Sequence, residues 1–76
     1  MKTLCIINPV AGKGRTLKVW KAVENRIRDI YNSPNVVYTR YAGEATDIAA
    51  QAAQQGYGLA LVFGGEIRYN KFRKFE

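Results

Sequence analysis

Thr3 to Asn8 is a short, unbroken apolar run rich in Ile that stops at Asn8-Pro9. That pattern marks a strand covered on both faces and ended by proline. Beyond a glycine-containing stretch, Val10 to Arg15, apolar residues recur at Trp20, Val23, Ile27 and Ile30 with spacings of 3, 4 and 3. One stripe of a helix therefore faces a core while Lys18, Lys21, Glu24, Arg28 and Asp29 lie in solvent. Asn32-Ser33-Pro34 ends that helix as a turn cluster. A second β-rich segment covers Val36 to Thr39, and a second helix covers Glu44 to Gln55, with Ala45, Ile48, Ala49, Ala52 and Ala53 on its apolar face. Gly56 is its C-terminal stop. Leu59 to Phe63 is a third short apolar strand, closed by Gly64-Gly65. The order β, α, β, α, β with short connections predicts an α/β fold: three parallel strands joined by right-handed crossovers.

The pattern changes at residue 66. Residues 66–76 hold four basic and two acidic residues, with Tyr69, Phe72 and Phe75 repeating every third position. This tail reads as a helix, packing its aromatics on the body or on another copy, or lying amphipathically on a membrane or nucleic-acid surface.

Composition narrows the class. The chain has 76 residues, 47% of them apolar, with 12 Lys plus Arg against 6 Asp plus Glu, no His and one Cys. A disordered tail would need fewer apolar residues, a disulfide-stapled module needs paired cysteines, and a zinc finger needs His or more Cys. Without His the commonest general base is missing. A chain this short buries only about 60% of its unfolded surface, so a partner or more chain is expected to support it. Seven basic and two acidic residues lie in residues 1–38, a balance that suits anionic partners or simply a solvated face. No run is long enough for a signal peptide or a membrane span. Cys5, inside a run of β-formers, reads as a buried small hydrophobe of a cytoplasmic protein.

In an open parallel sheet, ligands bind beyond the carboxyl ends of the strands. Three segments meet there: Asn8 to Arg15, Thr39 to Gly43, and Gly64-Gly65. The first, Asn-Pro-Val-Ala-Gly-Lys-Gly-Arg, combines small residues, two cations and a following helix N-terminus, which suits a phosphate. It is not a Walker A loop, because Gly14 rather than Ser or Thr follows Lys13. Nor is it a dinucleotide fingerprint, because Leu17 takes the third glycine position. The spacing alone fits a plain tight turn equally well. Asp29 and Asp47 fall within helices, and Glu24 and Glu44 read as solvated or first-turn carboxylates. No catalytic base and no metal ligand is assigned.

Taken together, Ile6 to Gly14, then Tyr38-Thr39-Arg40 with Gly43-Glu44-Ala45-Thr46, then Leu61-Val62-Phe63-Gly64-Gly65 resemble the start of the diacylglycerol kinase catalytic domain. That family includes bacterial lipid kinases and sphingosine kinases and is distantly related to NAD kinases. The resemblance implies an incomplete, Rossmann-like βαβαβ half-domain over residues 1–65, followed by an atypical basic aromatic tail over 66–76. It implies that Asn8, Pro9, Val10, Ala11, Gly12 and Thr39 contact ATP, and that Gly64 and Gly65 begin a phosphate-holding motif, Gly-Gly-Asp-Gly-Thr. Here Glu66, Ile67 and Arg68 replace its last three residues. The implied full enzyme transfers the γ-phosphoryl group of ATP, with Mg²⁺, to a lipid hydroxyl at the cytoplasmic membrane face. A chain cut at that motif is expected to be inactive alone and to form homo-oligomers through its exposed sheet edge or tail. Nucleic acid is not the expected partner. The competing reading is a non-catalytic anion- or nucleotide-binding module whose basic tail binds membranes or nucleic acid.

Overall fold

The computed structural model describes residues 2–41 and 43–64, and the backbone of 73–75. Strand β1 (Thr3–Ile7) is followed by a single 3₁₀ turn (Ala11–Gly14), helix α1 (Arg15–Ile30), strand β2 (Asn35–Tyr38), helix α2 (Glu44–Gln54), strand β3 (Leu59–Phe63) and strand β4 (Arg73–Phe75). The strands form one sheet in the order β2-β1-β3-β4, every pairing parallel. Leu4 pairs with Asn35 on one side of β1, and Thr3 pairs with Leu59 on the other.

β1 is fully buried along its length, as its apolar continuity predicts. Its side chains alternate between two cores. Cys5 and Ile7 join Leu61 and Phe63 against Trp20 and Ile27 of α1, whereas Leu4 and Ile6 join Ala60 and Val62 against Ala45, Ala49 and Ala52 of α2. The chain steps from β1 to β2 in one direction and from β2 past β1 to β3 in the other. Crossovers of a single hand then place the two helices on opposite faces. Each helix covers its face differently. Trp20, fully buried, meets the Phe63 ring edge-on at a centroid distance of 5.1 Å and donates its indole N–H to Tyr38 Oη at 3.2 Å. On the other face, small alanines let α2 lie close to the sheet.

Both helices end in left-handed caps. Asn32, at φ 57°, stands where glycine usually does, and the Ser33 amide bonds the Arg28 carbonyl at 2.8 Å. Gly56, at φ 88°, lets the Tyr57 amide reach the Ala52 carbonyl at 3.1 Å. Each is a 6→1 closure that satisfies a terminal carbonyl.

Three expectations are corrected. Ile30, assigned to the buried stripe of α1, is 62% exposed and stands outside the core cluster that holds Trp20 and Ile27; it occupies the last helical residue, on a groove with Val23 and Phe63. The second strand spans Asn35–Tyr38 rather than Val36 to Thr39. In the tail, Arg73–Phe75 is not helical but a strand whose register on β3 runs from Leu61–Arg73 to Phe63–Phe75. Pairing satisfies the backbone groups of β3's open side, which a period-three aromatic pattern cannot reveal. The remaining tail residues, 66–72 and 76, lie outside the described residues.

Candidate functional site

The sheet ladder continues past the strands at their carboxyl ends. Asn8 N–H donates to the Phe63 carbonyl at 3.0 Å, and Thr39 N–H donates to the Ile7 carbonyl at 2.8 Å. These bonds set Asn8 and Thr39 side by side with the chain that leaves β3 at Gly64. The three segments expected to meet are thus brought together, the third as far as Gly64. Gly65 lies outside the described residues.

The turn after β1 is built by Asn8 itself. Its side-chain Oδ1 accepts the Val10 amide at 3.2 Å and its carbonyl accepts the Ala11 amide at 3.3 Å, a tight turn with Pro9 at the position its fixed φ favours. Val10 projects outward, 77% exposed. The following turn is left-handed three residues in a row: Gly12 at φ 61°, Lys13 at φ 58° and Gly14 at φ 88°. Lys13 bears a cost there that glycine would not. At Gly14 a Cβ would have nothing within 4 Å, so the backbone faces open space from which a ligand can approach.

The two helix N-termini at this edge differ in charge. α1 has no capping side chain and no acidic residue in its first turn; Arg15 opens it. Cations at a helix N-terminus oppose the helix dipole, and a bound anion would relieve both. α2 carries Glu44 and Asp47 in its first turn, so its positive end is already neutralised. Sequence spacing placed a candidate phosphate loop before α1; the charge contrast gives a physical reason to prefer it.

Gly64 ties the third segment to the first. At φ 72°, its backbone lies so close to α1 that a Cβ would fall 2.5 Å from Thr16 Cγ2 and 2.7 Å from Thr16 Cβ. No side chain fits there without displacing Thr16. Thr16 carried no signal in the sequence, because a contact between the first turn of α1 and the residue after β3 follows no local periodicity.

Thr39 is 9% exposed. Beyond it stands a pair that the sequence reading missed. Glu44, read as a solvated or first-turn carboxylate, does open α2 but is only 5% exposed. Its Oε1 accepts the Arg40 backbone N–H at 2.7 Å, and its Oε2 accepts Arg40 Nε at 2.9 Å and Nη2 at 2.5 Å. The Arg40 side-chain bonds, followed by its backbone bond, hold the Glu44 carboxyl below the usual carboxylate range. Glu44 in turn raises the Arg40 pKa. The four-residue spacing was visible, but Arg40 precedes the helix, so no helical-face rule applied. Burial with no activating neighbour pushes the Cys5 thiol up to about 11, in keeping with an inert core residue.

A parallel sheet with a helix on each face, its connecting loops gathered at the carboxyl ends of the strands, places the fold in the doubly wound α/β class. Within that class, the chain belongs to the diacylglycerol kinase catalytic domain family, whose model matches residues 2–66. A Streptococcus pneumoniae serotype 4 (strain TIGR4) protein named "Putative lipid kinase" is 30% identical over 70 residues, which cover 92% of this chain and 24% of that protein. The chain thus spans about a quarter of that relative's length. No solved structure gives a significant match.

Proposed function

We propose that residues 1–65 form the N-terminal, ATP-binding part of a lipid kinase domain. Its reaction moves the γ-phosphoryl group of ATP to a lipid hydroxyl, with diacylglycerol the acceptor class that the family suggests. The observation that carries this reading is the left-handed Gly12-Lys13-Gly14 turn ahead of a helix whose first turn lacks acids. Phosphoryl transfer depends on positioning and electrostatic neutralisation, and this loop offers open backbone approach and cations. Asn8, Pro9, Val10, Ala11, Gly12 and Thr39 are the residues proposed to contact ATP, with Gly64 beside them; Gly65, proposed with them, lies outside the described residues.

The family implies a divalent metal as well as ATP. The described residues suit phosphate but bring together no group of three or more His, Cys, Asp or Glu, and the Glu44 carboxylate is bonded to Arg40. Phosphate contact, rather than metal coordination, is the role proposed for these residues.

Residues 66–76 are proposed to replace the family's phosphate motif with a sequence that ends its run of glycines at Gly65. We infer that the 76-residue chain binds nucleotide without turning it over. No helix among the described residues is long and apolar enough to cross a membrane; a cytoplasmic enzyme working peripherally at the membrane face is the location this reading favours. β4 pairs with β3, and among the described residues β2 has no strand on its outer side. That edge is the one proposed for self-association, and light scattering over a dilution series reads it directly: a monomer throughout removes it.

Titration with MgATP, followed by fluorescence of Trp20, the chain's single tryptophan, tests nucleotide binding. A saturable change is expected, weakened roughly tenfold or more in Gly14→Val, whose side chain would occupy the space a phosphate needs. No response in the wild-type chain overturns the reading. Lipid phosphorylation by the 76-residue chain, compared with a chain extended through an intact Gly-Gly-Asp-Gly-Thr motif, tests inactivity; comparable rates overturn that part alone.

A further inference from the structure

We propose that Glu44 is a positioning residue: its buried carboxylate grips the Arg40 backbone amide and thereby holds Thr39 in place on the β2 side of the site. This rests on the reading that Thr39 contacts ATP.

Thr39 stands one residue beyond β2, where sheet pairing stops. Its own amide is fixed to the Ile7 carbonyl at 2.8 Å. Among the described residues its carbonyl-side peptide has no strand neighbour, and the N–H of that peptide, on Arg40, is taken at 2.7 Å by Glu44 Oε1. The two peptides that flank Thr39 are therefore both held, one by the sheet and one by the first residue of α2. A carboxylate anchored on a helix whose Ala45, Ala49 and Ala52 are packed against the sheet is a rigid holder, while a surface loop by itself is not.

The guanidinium has a different task. The Arg40 side chain is 80% exposed and that of Glu44 only 7%, so Arg40 spreads over the carboxylate from the solvent side. It compensates a charge that would otherwise be costly to bury. Positioning depends on the reach of Oε1, and compensation depends on charge. These can be separated by substitution.

Glu44→Asp keeps the charge at the helix N-terminus but is one methylene too short for the Arg40 amide. Glu44→Gln keeps an acceptor oxygen at the right reach and discards the charge. MgATP affinity is measured by Trp20 fluorescence for the wild-type chain, both variants, Thr39→Ala and the Thr39→Ala/Glu44→Asp double variant, each checked for cooperative unfolding. Glu44→Asp is expected to bind roughly tenfold more weakly, in line with loss of one hydrogen bond to a charged group, and Glu44→Gln within roughly threefold of wild type. In the double variant the Asp substitution should add little to Thr39→Ala, since a displaced Thr39 and an absent one are alike. Wild-type affinity in Glu44→Asp, or full additivity with Thr39→Ala, would overturn the role of Glu44 while leaving the nucleotide site intact. Absence of binding in the wild-type chain would overturn both.

Discussion

Among the described glycines with left-handed φ, Gly64 has the least room for a side chain. An alanine there meets the Thr16 side chain at 2.5–2.7 Å and must also hold a left-handed φ, so Gly64→Ala is expected to cost about 2–4 kcal/mol in urea unfolding. Thr16→Ala removes both the hydroxyl and the methyl that the new Cβ would strike. Adding it to Gly64→Ala should therefore recover part of the loss, and a fully additive pair would contradict the contact. Glu44 and Cys5 titrate in opposite senses. The Glu44 carboxyl sits lower in the folded chain, so its contribution is present above the ordinary value of 4.5 and is lost as pH falls through the folded value. Acid unfolding should accordingly begin at higher pH in wild type than a Glu44→Gln chain shows relative to its own neutral-pH stability. The Cys5 thiol is raised from 9.0 to about 11. Its contribution is complete below pH 9.0 and disappears as pH rises through about 11, because the unfolded thiol ionises first. Urea midpoints taken from pH 8 to 11 should fall less steeply in Cys5→Ala.

Element boundaries were legible wherever a local rule set them. The Ala45-Ile48-Ala49-Ala52 face, the stop at Gly56 and the apolar continuity of β1 all follow from periodicity or cap chemistry, and the structure reproduces each. Ile30 misled because helical spacing says which face a residue occupies but not which positions on that face the core covers. Arg73–Phe75 misled because strand formation there depends on the open side of β3, a partner outside the tail's own sequence pattern. The same limit applied to the site: glycine positions could be read, whereas Thr16 on Gly64 and Glu44 on Arg40 required the folded backbone. At this scale the turn after α1 is the place for improvement. Ser33 is held at φ 55° beside Asn32 at φ 57°. Ser33→Gly keeps the amide that bonds Arg28 and removes the left-handed penalty, so a gain of about 0.5–1 kcal/mol is expected; a thermal melt measures it, and destabilisation would show that the serine side chain contributes more than its backbone costs.

For the molecule as a whole, one side chain outweighs the rest. Trp20 spans the α1 face from Phe63 to Tyr38, and truncating such a residue to alanine costs about 3–5 kcal/mol. At about 0.05–0.15 kcal/mol per residue, a domain of this length has roughly 4–11 kcal/mol in total. Trp20→Ala should therefore lose most of its cooperative transition by circular dichroism, and a sharp, little-shifted melt would show that the face is held elsewhere. The central position of β1 carries a further consequence, for synthesis rather than for the finished fold. Thr3 pairs with Leu59, and at about 5–20 residues per second the ribosome needs roughly 3–11 s to deliver that partner. Until then Leu-Cys-Ile-Ile lacks its β3 neighbour, and only β2, α1 and α2 are made early enough to cover it. A chaperone that meets emerging hydrophobic segments would hold β1 through this interval and let go only after β3 has been made.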